Sequence, residues 1–296
     1  MAHITGTQGL SRREFLARGG RTLLATALAS MATITARNAL GVQTDELKAQ
    51  RLTWAGVKLV SGDTTIFIDP LSTDIWEGAW KDAVFVPMQV ETSRRAVLIT
   101  HAHNDHFDPK AISAIFEKTQ GPVFCHDKIA ELVSSRGFRT RPLAMYEPVS
   151  YDNFTLAPVP ASDAFDDDQV SWVVTAGGRR IIHCGDTQWH GAWWKIGRQY
   201  GPFDAAFLPI NGVVFKGPAV TPNSEVPGDM TPEQAVAAGV VMGAKLVVPI
   251  HYGFNDPAAY VEYPEAEKTF LATARRRKQP VELLKPGEWL KWKPNV

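Results

Sequence analysis

Cysteine is nearly absent: Cys125 and Cys184 are the only two in 296 residues. A single bridge is the most they could form, and only in an oxidising compartment. Both fall in runs that read as strands, Pro122–Cys125 and Arg180–Cys184. Two buried free thiols are therefore expected, with metal ligation by Cys184, two residues before Asp186, as the lesser alternative. An excess of charge of either sign is also missing, with 31 basic and 31 acidic residues. That balance excludes the electrostatic footprint of a nucleic-acid binder. No internal repeat, low-complexity tract or long linker divides the chain. No apolar run reaches membrane-spanning length; the longest near the N-terminus, about residues 23–35, is short and rich in Thr and Ser. Apolar material itself is plentiful. Hydrophobic residues make up 45%, with nine Trp and 14 Phe, enough for one large core or two small ones.

The first 39 residues read as a targeting segment. Ser11-Arg12-Arg13-Glu14-Phe15-Leu16 precedes the short apolar stretch, a basic-then-apolar order typical of export signals. The paired arginines followed by Phe-Leu resemble the bacterial twin-arginine signal. An uncleaved anchor or a plain amphipathic helix is the alternative. Ala27-Leu28-Ala29 fits a cleavage site but lies early, and residues 36–39 fit less well. Residues 1–39 hold five Arg and one Glu, so their removal takes 31 basic to 26 and 31 acidic to 30, a net charge of −4. The expectation is a periplasmic domain spanning residues 40–296, exported already folded by the twin-arginine machinery, so that metal can be loaded in the cytoplasm.

The most informative stretch is Thr100-His-Ala-His-Asn-Asp-His106. Imidazole and carboxylate are ligands for zinc and similar divalent metals. Alternate residues of an extended segment point the same way, so His101 and His103 can grip one metal. Asp105 and His106 lie past the strand end, free to turn toward a second. The preceding Arg95–Thr100 reads as a buried strand. Asp108-Pro109 reads as a helix N-cap and first helical residue.

Elsewhere, Leu52–Trp54 with Gly56–Val60 reads as a first strand, paired with Thr64–Ile68 across a Ser-Gly-Asp turn. Residues 72–90 form an aromatic loop with Trp76 and Trp80. Further strands are expected near 122–125, 154–159, 170–175, 179–184 and 246–250. Helices are expected over 109–118, 189–199, 231–242 and 262–277. Thr231-Pro-Glu-Gln234 is a capping box, and Gly243 supplies the stop.

Taken in order, His101–His106, Val159–Asp163, Gly185-Asp186-Thr187 and Pro249-Ile-His251-Tyr-Gly253 resemble the metallo-β-lactamase superfamily. Within it the branch of ascorbate-6-phosphate lactonase and N-acylphosphatidylethanolamine phospholipase D is the most similar. Asp69-Pro70, residues 196–204 and Leu208-Pro-Ile210 share that branch's look. The resemblance covers about residues 50–290. It implies an α+β four-layer αβ/βα sandwich, with two mixed β-sheets, outer helices and a site at one edge. It implies two divalent metal ions, zinc first, with manganese or iron as alternatives. His101 and His103 would bind the first metal, Asp105, His106 and His251 the second, and Asp186 both. A water between the metals would then attack an ester-like bond, a phosphodiester or a lactone, in a small or lipid-like substrate. Asp105 would also orient that water. His190, four residues after Asp186, is the candidate proton donor to the leaving group.

One position departs from the family pattern. The slot for a third histidine on the first metal holds Asp163, a harder oxygen ligand that moves preference away from zinc. A weak first site, or a ligand from Asp166, Asp167 or Asp168, is the alternative. Two rival functions follow: a metal-binding protein with a decayed site, and true β-lactam hydrolysis. His183 and His126 read as structural, and Trp189, Trp193 and Trp194 as core, with a pocket wall as the alternative for the tryptophans.

Overall fold

The computed structural model of the protein describes residues 45–292 apart from 118, 119 and 166. The expected export segment and the alternative ligand Asp166 lie outside the described residues.

Short β-branched and apolar runs build two six-stranded sheets. The first joins β1 (Lys48–Arg51), β2 (Val57–Ser61), β3 (Thr64–Ile68), β4 (Arg94–Leu98), β5 (Val123–His126) and β6 (Thr140–Leu143), side by side in that order. Its β1–β2 and β2–β3 pairs are antiparallel and the rest parallel. The second joins β7 (Val149–Tyr151), β8 (Phe154–Pro160), β9 (Val170–Ala176), β10 (Arg179–His183), β11 (Ala205–Pro209) and, past a short β12 (Val214–Phe215), β13 (Val247–Ile250). There β10, β11 and β13 are mutually parallel, and β8 and β10 are each antiparallel to β9. A small β12–β14 pair adds β14 (Tyr260–Val261). Central strands such as β3 and β11 are buried along their whole length. They read as continuous apolar runs, as strands covered on both faces do.

Three buried clusters define four layers. Leu59, Ile66 and Leu98 of the first sheet meet Trp172, Val174 and Phe207 of the second in one shared core. Phe67, Val97 and Cys125 turn outward under α1 (Pro109–Phe116) and α2 (Ala130–Ser135), through Ile112, Ile115 and Val133. Val173, Ile182 and Ala206 do the same under α3 (Trp193–Tyr200), α4 (Pro232–Met242) and α5 (Ala266–Arg277). The expected αβ/βα sandwich with two mixed sheets is the observed architecture.

Strand direction positions the site. Because β3 and β4 run parallel, Asp69 and the histidine loop leave the same edge of the first sheet. Because β8, β10, β11 and β13 point one way, Asp163, Asp186, Asn211 and His251 all follow strand C-terminal ends at one edge of the second. The two edges are tied together. Trp172 Nε1 donates to Ile99 O at 3.1 Å, Val170 N to Thr100 O at 3.0 Å and His251 N to Trp54 O at 3.2 Å.

Local signals hold at α1 and α4. Asp108 caps α1, its carboxylate accepting from Lys110 N. In α4, Thr231 accepts from Gln234 N at 3.3 Å, Gln234 Oε1 accepts from Thr231 N at 3.0 Å, and Gly243 ends the helix with φ +69°.

Some expectations need correction. Leu52–Trp54 is a turn, closed by Leu52 N to Gly56 O at 2.8 Å and Gly56 N to Thr53 O at 2.9 Å. The first strand is β1, just before it. Apolar content suggested a strand, but these side chains are buried by a tight reversal, with Trp54 at φ +57°. The helices expected from 189 and 262 begin at Trp193 and Ala266. β6, β7, β11 and α2 were not anticipated; the strands are four, three and five residues long and α2 six, too short for a period to show. Among the described residues no helix is long and apolar enough to cross a membrane.

Candidate metal centre

Asp69 anchors the first side of the centre. It is fully buried, and its backbone takes φ +46°. Its carboxylate accepts from Thr100 N at 2.8 Å and Thr100 Oγ1 at 2.6 Å, and pairs with His106 Nδ1 at 2.9 Å. These contacts fix the His106 ring with Nε2 facing the site, where that buried atom has no hydrogen-bond partner. Burial opposes a charge on His106. Asp105 and Asp69 outweigh it and raise its pKa to about 10. A divalent cation can replace the Nε2 proton, since metal ligation requires the free lone pair.

Two groups of ligand atoms form, each with its members within 4.8 Å of one another: Asp105, His106, Asp186 and His251, then His101, His103 and Asp163. In the first group Asp105 Oδ2 lies 3.2 Å from His251 Nε2 and 3.4 Å from His106 Nε2. Burial pushes the Asp105 pKa up, but His106 and His251 outweigh it and hold the carboxyl well below its ordinary value. Trp54 Nε1 donates to the same oxygen at 2.9 Å. In the second group His101 Nε2 is 3.0 Å from His103 Nδ1. Burial holds the His101 pKa well below its ordinary value, so its ring is neutral. Asp186 Oδ2 stands between the groups, 3.7 Å from His251 Nε2 and 4.0 Å from His101 Nε2. Gly185 makes this approach possible: at φ +58°, a Cβ there would meet Thr100 Oγ1 at 2.7 Å.

Asp163 is buried and divides its two oxygens. Oδ1 accepts from Phe165 N at 2.9 Å and Asp167 N at 3.1 Å, while Oδ2 is buried without a partner. It therefore caps a turn and also presents one oxygen toward His101 and His103. Burial raises its pKa. Among the other aspartates offered for this slot, Asp167 pairs with His103 Nε2 at 2.8 Å and Asp168 with Lys128 at 2.7 Å. The donor chemistry fits divalent cations: mixed imidazole and carboxylate sets, with buried unpartnered atoms at His106 Nε2 and Asp163 Oδ2.

His251 takes φ +54° where β13 ends. Its Nδ1 lies 3.0 Å from the Asn211 amide nitrogen and 3.3 Å from Asp229 Oδ2. Both partners are buried, and together they aim Nε2 at Asp105 and Asp186. Trp54, Asp229 and Asn211 were missed as site residues in the sequence. Asp229 precedes the capping box by two residues, and Asn211 follows the Leu208-Pro-Ile210 run. Those were the available signals.

His190 goes elsewhere. Its ring stacks on Trp193 at 4.1 Å, its Nδ1 accepts from Ala192 N at 3.2 Å, and its Nε2 is buried without a partner. Burial lowers its pKa to about 4, so the ring is neutral near pH 7, keeps its one hydrogen on Nε2 and is not the acidic imidazolium that a general acid needs. It is absent from the described lining of the cleft over the metal groups. His183 is buried on Ala55 O at 2.7 Å, and His126 caps the turn before α2. Cys125 and Cys184 are buried free thiols outside both ligand groups. Trp193 is fully buried, while Trp194 is exposed.

A cleft of about 500 Å³ opens over the two groups, bounded by Trp54, Trp76, Phe165, Phe215, Phe254 and Tyr260. A larger hollow of about 730 Å³ near Lys58 and Trp289 includes none of the grouped ligand residues in its lining.

Residues 64–252 match the model of the beta-lactamase superfamily domain. A metal-dependent hydrolase of Thermus thermophilus is 31% identical over 244 residues, covering 80% of this chain and 95% of its own. One of Thermococcus kodakarensis is 29% identical over 239 residues, covering 78% and 94%. The solved metallo hydrolase of Ignicoccus hospitalis shares the fold, with a TM-score of 0.59 at 23% identity over 83% of this chain and 99% of that one.

Proposed function

We propose that this chain, which belongs to the beta-lactamase superfamily and is a metal-dependent hydrolase, cleaves an ester-like bond, a lactone or a phosphodiester, at the edge where the two sheets meet. The observation that carries this reading is the pair of adjoining ligand groups with Asp186 between them. Two divalent cations held there supply Lewis-acid polarisation and an acidified water. His101, His103 and Asp163 would hold one, Asp105, His106 and His251 the other, with Asp186 shared. Zinc suits the imidazoles, and the Asp163 oxygen widens the choice toward manganese or iron.

The chain's own residues do the rest. Asp105 stays ionised, because its pKa is held well down, so it orients the attacking water by accepting a hydrogen bond and does not store the proton. Trp54 fixes that carboxylate by donating to Oδ2. Hydrolysis forms one bond to the water oxygen and breaks the bond to the leaving oxygen, which takes up a water proton.

Replacing both His101 and His103 with Ala tests this directly. Turnover of lactone and bis-aryl phosphodiester substrates should disappear while circular dichroism stays native. Unchanged turnover sinks the proposal.

A further inference from the structure

We infer that the substrate of this site is a neutral ester or lactone carrying an apolar, preferably aromatic, group, and that compounds with a remote anionic group are rejected. The inference rests on the hydrolase reading above and narrows its substrate.

The first observation is a continuous arc of rings around the cleft. Trp76 meets Phe254 at 5.5 Å between centroids, Phe254 meets Tyr260 at 5.5 Å, and Tyr260 meets Phe215 at 5.6 Å. Phe215 meets Phe165 at 4.9 Å, and Phe165 lies 6.2 Å from the His103 ring. The arc ends on the candidate metal ligands, so a group held by it reaches the reacting centre. Phe165 is 47% exposed, a large apolar surface left beside a buried polar cluster. Such a wall accepts a flat apolar group by area burial and edge-to-face contacts.

The second observation is charge. Among the described residues lining the cleft there is no lysine or arginine, and its acidic members are Asp105, Asp163, Asp186 and Asp256. Two divalent cations offset those four carboxylates, so the loaded cleft is close to neutral. A phosphate or carboxylate placed away from the cations would lose its hydration and gain no charge-assisted partner.

The test uses three lactones of one ring size on the metal-loaded protein: unsubstituted, phenyl-bearing and sulfophenyl-bearing. The phenyl compound should exceed the sulfophenyl compound by roughly tenfold or more in kcat/KM, the scale of one pocket contact. Phe165→Ala, at an exposed position, should erase most of the phenyl advantage through KM. Ala259→Lys, which puts a cation on the exposed cleft wall, should narrow the gap for the sulfophenyl compound. Equal or better turnover of the sulfophenyl compound overturns the inference and leaves the hydrolase reading intact. So does cleavage of a bis-aryl phosphodiester in preference to every lactone. If nothing is cleaved, the hydrolase reading fails. Tryptophan fluorescence titration with phenyl and sulfophenyl lactams then decides the inference: tighter phenyl binding upholds it, and equal or weaker phenyl binding overturns it.

Discussion

Asp69 touches one candidate ligand directly, through His106 Nδ1. It holds Thr100 and His106 together at the head of the histidine loop. A partner of this kind fixes ring orientation, and its loss costs metal affinity roughly 10–100-fold. Asp69→Ala should therefore weaken zinc binding on that scale in a competition titration with a chelating dye. Unaltered affinity would deny Asp69 this role. Asp163→Ala asks the complementary question: it should lower bound metal from two toward one per chain, because only the His101 group loses a member. A decayed first site predicts no change in count. His190 gives a pH prediction. Its folded pKa of about 4 lies below the ordinary histidine value of 6.5, so the unfolded chain takes the proton first. The neutral buried ring contributes stability above pH 6.5 that is lost as pH falls toward 4. His190→Phe should keep the stacking on Trp193 and flatten the fall of Tm between those values; an equally steep fall would contradict the assignment.

At the scale of the element, legibility followed the strength of the local signal. The α4 capping box and the Gly243 stop appeared where the residues announced them, because cap chemistry is local. Thr231→Ala should cost about 1 kcal/mol in denaturant unfolding, and no loss would mean the box contributes nothing. The histidine loop was legible for the same reason, since strand, loop and N-cap lie within a few residues. The turn at Leu52–Trp54 was not. Its apolar side chains resemble a strand, and only the fold reveals that the reversal carries Trp54 to Asp105. The five-residue β11 was also missed, although the equally uniform buried runs at β3 and β13 were read, because a short apolar run by itself does not separate strand from buried helix.

For the whole molecule, the layered architecture was implied by the family resemblance that the motifs carry, and parallel strands then explain why distant residues meet. Asp163, Asp186 and His251 are brought together because β8, β10 and β13 end on one side. Asp229 and Asn211 could not be read in advance: a lone buried acid or amide in a loop has meaning only once His251 lies beside it. Export by the twin-arginine route remains a proposal that fits a centre built from the whole fold, since a folded protein can carry its metal with it. Comparing metal content in periplasmic and cytoplasmic fractions with that of an Arg12→Lys, Arg13→Lys variant would test it. Equal periplasmic yield from that variant would contradict the route. The central claim is that the two ligand groups form a dinuclear centre. Native mass spectrometry of the folded chain, saturated with zinc or with manganese, measures this most directly. The account predicts two ions per chain, reduced by the double replacement of His101 and His103 with Ala; fewer than one ion at saturation would contradict it.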